Sequence, residues 1–145
     1  MIFLLALGVR ALLLRQWSHT PYHLHHQLDD QVHQQWALEI LGGALLRERA
    51  FYQSPFYPYL CALVYKLFGT HPMLMLWLQA AAGAASCAAL LRATARLFGA
   101  DAGLWAGVMA AFYRPFLFHG VFFLKETWLI LALSLFVLTA LRLEA

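Results

Sequence analysis

The chain has 145 residues, of which 63% are hydrophobic and only 12% are charged, and its mean hydropathy is +0.66. A soluble domain carries about twice that charged fraction, so the composition excludes an ordinary soluble enzyme and indicates an all-α integral membrane protein. The net charge of +3 is spread along the chain without a basic face, which argues against a nucleic-acid partner.

Residues 1–17 form the first predicted transmembrane helix. At about 1.5 Å of rise per residue, this run is just long enough to cross a bilayer core of about 30 Å, and Arg15 and Trp17 would anchor its far end. Arg10 interrupts the apolar run and no small-residue cleavage site follows, so we expect an uncleaved helix rather than a signal peptide. The Arg10 side chain either snorkels to the interface or faces protein or a polar cavity.

Residues 18–72 are predicted to form one extracytoplasmic loop that carries juxtamembrane helices. An amphipathic helix is expected to begin at Asp29 and Asp30, because carboxylates at a helix start accept hydrogen bonds from unpaired backbone N–H groups. It is expected to end at the glycine pair 42–43, since glycine adopts the left-handed conformation of a helix C-cap. We predict that this helix lies on the membrane surface with its acidic end beside an active site.

The spacing of the apolar residues predicts which face of this helix is buried. Three apolar residues recur every four positions: Val32, Trp36 and Ile40. Three polar residues are expected to face elsewhere: His33, Gln34 and Gln35.

A second juxtamembrane helix is expected over residues 56–68, and the topology depends on it. Apolar runs of about 10–14 residues are more often interfacial or re-entrant than spanning. If this helix does not span, the remaining crossings are about 73–91, 102–120 and 127–141, within residues 73–145. The chain then has about four transmembrane helices.

If residues 56–68 do not span the membrane, the charged residues fall on two definite sides. Three arginines share the side that the positive-inside rule makes cytoplasmic: Arg92, Arg96 and Arg142. Three carboxylates share the extracytoplasmic side: Asp29, Asp30 and Glu126. If residues 56–68 spanned the membrane, Glu126 would lie across it from Asp29.

The two middle spans are predicted to serve as scaffold. They carry small residues four positions apart, which let helix backbones approach closely in lipid: Gly83 with Cys87, Ala82 with Ser86, and Gly103 with Gly107. Cys61 and Cys87 lie in apolar segments, where cysteine serves as a small hydrophobic side chain rather than as a disulfide partner.

Asp29, Asp30 and Glu126 are the candidate catalytic groups. Two carboxylates that converge from distant segments suit general-base catalysis on a hydroxyl. Glu126 stands among apolar residues at a predicted membrane edge, where an ionisable side chain suggests a functional site. Each feature also has a plainer interpretation, because adjacent aspartates can be a solvated helix start and Lys125 can pair with Glu126.

Other polar residues allow further hypotheses. Several have the ligand types for a divalent metal such as zinc, although no tight ligand motif is present: His23, His25, His26 and His33 with Asp29 and Asp30. Arg114 either meets a lipid phosphate or snorkels from its predicted span. Because no glycine-rich phosphate loop occurs, the sequence does not support a soluble nucleotide-sugar enzyme.

The order of these features resembles the N-terminal part of the polytopic glycosyltransferases of the GT-C fold, which include the protein O-mannosyltransferases, the aminoarabinose transferases and dolichyl-phosphate-mannose-type relatives. The resemblance covers about residues 1–141. Three stretches carry it: Asp29-Asp30 with Trp36-Ala37, Ser54-Pro55-Phe56-Tyr57-Pro58, and Leu124-Lys125-Glu126-Thr127. In that family an aspartate opens the first extracytoplasmic loop, and a second acidic residue opens the helix after the third span.

The resemblance implies that the chain is part of a longer membrane glycosyltransferase in a bacterial inner membrane. Such an enzyme takes a sugar from a polyprenyl-phosphate-linked donor and transfers it, with inversion, to an extracytoplasmic acceptor. By this resemblance Asp29 is the general base, and Glu126 orients the acceptor or assists Asp29. The expected substrate-binding residues are Asp30, His33, Tyr57, Arg114 and Lys125. The remainder of the same polypeptide would complete the groove for the lipid.

The chain departs from the family at one motif. Some relatives place a Glu-Lys pair directly before the proline, for a metal and the lipid phosphate, whereas this chain has Gln53-Ser54. A divalent metal cofactor is therefore left open, and Lys125, Arg114 or Arg47 would replace the usual phosphate contact. The alternative hypothesis is a small transporter or metal-binding membrane protein that uses the histidine-rich loop.

Overall fold

A computed structural model describes residues 1–21, 29–45 and 53–143. Within these ranges the chain forms helices and no strand, so the all-α class is confirmed for this part of the protein. The helices are α1 (Ile2–Ser18), α2 (Asp29–Leu41), α3 (Phe56–Phe68), α4 (Pro72–Phe98), α5 (Ala100–Phe112), α6 (Arg114–Phe118) and α7 (Glu126–Leu143).

Length and composition distinguish one helix of the described ranges from the rest. Only α4, with 27 residues, is both long and apolar enough to cross a membrane. Three apolar helical stretches are shorter: Phe56–Phe68, Ala100–Phe112 and Glu126–Leu141. This bundle is consistent with an all-α membrane protein, and the number of about four spans stays a prediction.

α4 is the central helix and packs against α1, α5 and α7. Near its end, Arg96 Nη1 donates a hydrogen bond to the Leu138 carbonyl, late in α7, at 3.4 Å. Near its start, Gln79 Nε2 donates to the carbonyl of Phe122, just before α7, at 2.8 Å. α4 and α7 are therefore antiparallel.

Arg10 faces protein, which decides between its two interpretations. Its side chain is only 2% exposed and donates hydrogen bonds to the Ala6 carbonyl at 3.1 Å and to Cys87 Sγ at 3.6 Å. A Cβ atom at Gly83 would lie 2.6 Å from Arg10 Nε. The small residues of α4 at this level therefore make room for the arginine of α1.

Gly103 allows the close approach of α4 and α5. A Cβ atom there would lie 2.5 Å from Ala95 Cβ and 2.7 Å from the Leu91 carbonyl oxygen. Because backbone atoms cannot move aside as a side chain can, any larger residue would push the two helices apart. The predicted packing role of this glycine is confirmed.

The predicted crossing over residues 102–120 is not one helix. α5 ends at Phe112, and Tyr113 adopts an extended conformation with φ −67° and ψ 113° before α6 begins. Pro115 explains the break, because it lacks the N–H that would bond to the Ala111 carbonyl and its ring would collide with that carbonyl. The chain then turns through residues 119–125 before α7.

The two helices predicted within residues 18–72 are present. α3 has 13 residues, or about 20 Å of length, which is shorter than a bilayer core of about 30 Å. α2 ends at Leu41, where Gly43 has a φ of 103° and the Ala44 N–H bonds back to the Glu39 carbonyl at 3.0 Å. The predicted glycine stop is thus confirmed.

The buried face of α2 differs from the prediction. Its buried residues lie at helical spacing: His33, Trp36, Ala37 and Ile40. Val32 is only half-buried. The expectation that His33 faces away from the apolar side is therefore wrong, because positions three, four and seven apart share one face of a helix.

Candidate active site

α2 and the loop before α7 meet at one end of the bundle. Asp30 Oδ1 accepts a hydrogen bond from the backbone N–H of Phe123 at 2.7 Å, across 93 positions of sequence. At the same end, the rings of Trp17 and Phe122 make an edge-to-face contact with centroids 4.9 Å apart. The last residues of α1, the first residues of α2 and the start of α7 are thereby brought together.

This end of the bundle is opposite the arginines of α4. Gln79 lies about two turns after the start of α4 and binds the loop before α7. Arg96 lies near the other end of the same helix. Asp29 and Asp30 therefore lie at the same end as Glu126, and Arg92 and Arg96 lie at the other. This arrangement agrees with the topology in which α3 does not span.

The two adjacent aspartates have different surroundings. Asp30 is half-buried and is bound to the Phe123 backbone. Asp29 is exposed, and its Oδ1 accepts a hydrogen bond from Gln53 Nε2. Asp30 is thus engaged in holding the loop, while the Asp29 carboxylate can be reached from outside.

His33 is buried and interacts electrostatically with four charged residues. It is 1% exposed, its ring packs edge-to-face on Tyr57 with centroids 5.1 Å apart, and its Nδ1 has no hydrogen-bond partner among the described residues. Burial lowers the pKa of His33 below 6.5, and the positive charge of Lys125 acts in the same direction. Three carboxylates act against this shift: Asp29, Glu126 and Asp30. The imidazole is therefore neutral at neutral pH.

A chain of hydrogen bonds runs behind His33. The buried Tyr57 hydroxyl donates to Gln79 Oε1, and Gln79 Nε2 donates to the carbonyls of Phe122 at 2.8 Å and His119 at 3.4 Å. Burial raises the pKa of Tyr57 well above 10, so the phenol stays protonated and remains a donor. Gln79 thus joins α3 and α4 to the loop that carries Lys125 and Glu126.

Lys125 and Glu126 open α7 at the same place. Both are half-buried, and Glu126 Oε2 is buried without a hydrogen-bond partner in the described part of the chain. The next residue, Thr127, donates its hydroxyl proton to the His119 carbonyl at 3.0 Å. The loop carbonyl of His119 therefore receives bonds from both α4 and α7, and this holds the start of α7 in place.

Comparison with known protein families gives a match over residues 52–145 to the family described as dolichyl-phosphate-mannose-protein mannosyltransferase. The chain belongs to this family. Membership gives the chain a family-level function, the transfer of a sugar from a lipid-linked donor, and places it among integral membrane proteins. No curated protein and no solved structure matches the chain.

The family match covers only part of the candidate site. Tyr57, Arg114, Lys125 and Glu126 fall within the matched residues. The residues of α2 lie before them: Asp29, Asp30 and His33. The contact of Asp30 with Phe123 joins the mannosyltransferase-like region to α2.

Arg114 is the one predicted substrate-binding residue that the described contacts do not join to the others. It is exposed at the start of α6, and its neighbour Tyr113 packs on Phe116 instead of on α2 or α3. Arg47 lies outside the described residues. Lys125 is therefore the predicted phosphate contact that lies close to the carboxylates.

The described residues do not form a metal centre. They contain no group of three or more histidine, cysteine or acidic side chains arranged to hold a metal ion. Three histidines of the metal hypothesis lie outside the described residues: His23, His25 and His26.

Gln79 was missed by the sequence analysis. It stands in the middle of an otherwise apolar run and is completely buried. An uncharged polar residue within such a run needs a hydrogen-bond partner, and that requirement was the available signal. His119 contributes only its backbone carbonyl, and the identity of a side chain does not predict such a contact.

A groove of about 710 Å³ lies between α1 and the start of α4, at the same end of the bundle as the candidate site. Its lining is mostly apolar and includes Leu12, Arg15 and Trp77, but no residue of the candidate site. The candidate site is therefore identified by its side-chain chemistry rather than by this groove.

The neutral state of His33 predicts a pH dependence of stability. Because the folded-state pKa is lowered, the stabilisation is complete above about pH 6.5 and is lost as the pH falls, since the unfolded chain binds the proton more readily. We expect the melting temperature of the full-length protein in detergent to fall between about pH 8 and about pH 5, and His33→Phe to reduce this fall. His19→Gln, at an exposed histidine, is the control. An equal reduction by both variants would contradict the assignment.

Proposed function

We propose that the protein is a membrane glycosyltransferase that transfers a sugar from a polyprenyl-phosphate-linked donor to a hydroxyl acceptor, with inversion at the anomeric carbon. The observation that carries the proposal is the hydrogen bond between Asp30 and the Phe123 N–H, which holds the start of α2 with Asp29 against the loop that leads to Lys125 and Glu126. Two carboxylates suit proton removal from an acceptor, and one cation suits the departing phosphate.

Asp29 is the proposed general base. It is exposed and held by Gln53, so its carboxylate is both accessible and oriented. The acceptor oxygen attacks the anomeric carbon as its proton moves to Asp29. The bond from that carbon to the phosphate oxygen breaks on the opposite side, which inverts the configuration.

Asp30 and Glu126 have supporting roles in this proposal. Asp30 keeps the loop before α7 against α2 through the Phe123 N–H. Glu126 has a buried oxygen without a partner among the described residues, and this oxygen can accept a hydrogen bond from the acceptor. Tyr57 and His33 support this wall of the site from within.

Lys125 is the proposed partner of the leaving phosphate. A positive charge held in advance where negative charge develops is often the largest catalytic contribution. Lys125 directly precedes Glu126, so its ammonium group is close to the proposed reacting groups. Arg114, exposed at the start of α6, is joined to the carboxylates by no contact of the described residues.

The proposed side of action is extracytoplasmic, in a bacterial inner membrane. Arg92 and Arg96 lie at the end of the bundle away from the carboxylates, and basic residues mark the cytoplasmic side. A lipid-linked donor suits this side, where nucleotide sugars are not supplied.

The donor class can be tested directly. Membranes that contain the full-length protein are incubated with polyprenyl-phosphate [³H]mannose, and label transferred out of the lipid is counted. We expect transfer from this donor and none from GDP-mannose in membranes that lack the synthase of the lipid-linked donor. NMR of the product should show the opposite anomer. Use of the nucleotide sugar alone would contradict the proposal.

A further inference from the structure

Gln53 contacts the proposed base with one half of its side-chain amide. It lies two residues before Pro55, at the entry to α3, and its Nε2 donates a hydrogen bond to Asp29 Oδ1. The other half, Oε1, is buried and has no hydrogen-bond partner among the described residues. Because the amide is planar, the bond to Asp29 also sets the direction of this free oxygen.

The free oxygen calls for a hydrogen-bond donor from outside the described residues. A carbonyl oxygen only accepts hydrogen bonds, and buried polar atoms in proteins are normally paired. Two further buried atoms at this end of the bundle also have no hydrogen-bond partner in the described ranges: Glu126 Oε2 and His33 Nδ1. His33 is itself 1% exposed. The site therefore offers several hydrogen-bonding positions in addition to the base.

The single proton of the attacking hydroxyl limits which group can donate a hydrogen bond to Gln53. An attacking hydroxyl has one proton, which passes to Asp29, so the same hydroxyl cannot also donate to Gln53. Gln53 Oε1 therefore remains open to a hydrogen bond from a second group of the acceptor. Unpaired atoms on three residues at one end of the bundle fit a ligand with several hydroxyls better than a ligand with one.

We propose that Gln53 is a positioning residue that orients Asp29 and accepts a hydrogen bond from a second hydroxyl of the acceptor, so that the acceptor is a polyhydroxylated compound such as a sugar. This inference rests on the proposed function. One hydroxyl loses its proton to Asp29 and forms the new bond to the anomeric carbon. The neighbouring hydroxyl stays intact on Gln53, and the electron pair of the broken bond leaves with the lipid phosphate.

Acceptor analogues test the second hydroxyl. The full-length protein in membranes is given polyprenyl-phosphate [³H]mannose with methyl mannoside or its monodeoxy analogues as acceptor. We expect one analogue to have a KM about tenfold higher than the parent, which corresponds to one lost hydrogen bond. Gln53→Met should raise the KM of the parent about tenfold, remove the difference from that analogue, and leave the KM of the donor unchanged. Ser54→Ala, at the exposed neighbour, is the control.

A second variant tests the contact with Asp29. Gln53→Glu keeps an acceptor oxygen but places another carboxylate against Asp29, so the two groups hold a proton between them. The acidic limb of the pH–rate profile should therefore move to higher pH, as it should not if residue 53 lies away from the catalytic base. The variant leaves unchanged His33 and the three other charged groups that act on it together with Asp29: Asp30, Lys125 and Glu126.

Separate results would overturn the inference and the proposed function. Unchanged kinetics of Gln53→Met and an unmoved profile of Gln53→Glu would reject the role of Gln53, even if the donor class is correct. Transfer to a serine-containing peptide but not to methyl mannoside would reject the polyhydroxylated acceptor. Failure of the wild-type protein to use the lipid-linked donor would instead reject the proposed function.

Discussion

Asp29→Asn is expected to lower the rate of sugar transfer by about 10²–10⁴-fold, the range typical for loss of a general base. Asparagine has the size of aspartate, but its amide cannot take the proton of the acceptor. The carboxylate is exposed and lies at the start of α2, so the change should not disturb the buried face of the helix. The measurement is the initial rate of transfer from polyprenyl-phosphate [³H]mannose by the full-length protein.

Two matched variants separate the role of Asp29 from the effect of removing a charge. Asp30→Asn keeps an oxygen that can accept the Phe123 N–H, so we expect a fall of less than about tenfold. Glu39→Gln makes the same chemical change at an exposed position of the same helix and should have little effect. If Asp30→Asn abolished transfer and Asp29→Asn did not, the two aspartates would exchange roles.

Replacing Gln79 is expected to have the largest effect on stability. Gln79→Met leaves the buried Tyr57 hydroxyl without its acceptor and the Phe122 carbonyl without its donor. Unsatisfied buried groups and lost interhelical bonds of this kind cost about 2 kcal/mol together. We also expect reduced transfer, because Gln79 holds the loop that carries Lys125 and Glu126. Apparent melting temperature and rate should fall together.

A double-mutant cycle isolates the contact. Tyr57→Phe alone removes only the hydroxyl and should cost about 1 kcal/mol. In the double variant no hydroxyl is left unsatisfied, so the combined loss should be smaller than the sum by about 1 kcal/mol. Gln31→Met, at an exposed glutamine of α2, is the control for loss of an amide. Strictly additive losses would show that the two residues do not interact.

The ends of the helices were predictable where local chemistry determines them. α3 has the predicted bounds, and α2 ends before the predicted glycine pair. The break at Tyr113 was missed, although Pro115 was visible, because the apolar run continues through it. A hydropathy pattern reports the length of an apolar segment. It does not report the loss of one backbone hydrogen bond, which is how a proline breaks a helix.

The candidate site was predictable in its residue types and only partly in its contacts. The carboxylates and Lys125 were found because charged residues are rare in an apolar chain. The position of His33 was predicted wrongly, since a helical pattern of four residues leaves the centre of the buried face uncertain by one position. Gln79 was not considered, because a single glutamine has many structural roles.

The sequence by itself determined that the protein is helical and where α3 lies, and it predicted that three carboxylates and three arginines lie on opposite sides of the membrane. These properties depend on composition, run length and local backbone preference. Only the tertiary structure decided that Asp30 binds the loop before α7 while Asp29 stays accessible, and that Gln53 and Gln79 support the site. Such contacts join residues far apart in the sequence, and adjacent aspartates cannot be distinguished until the segments that surround them are packed.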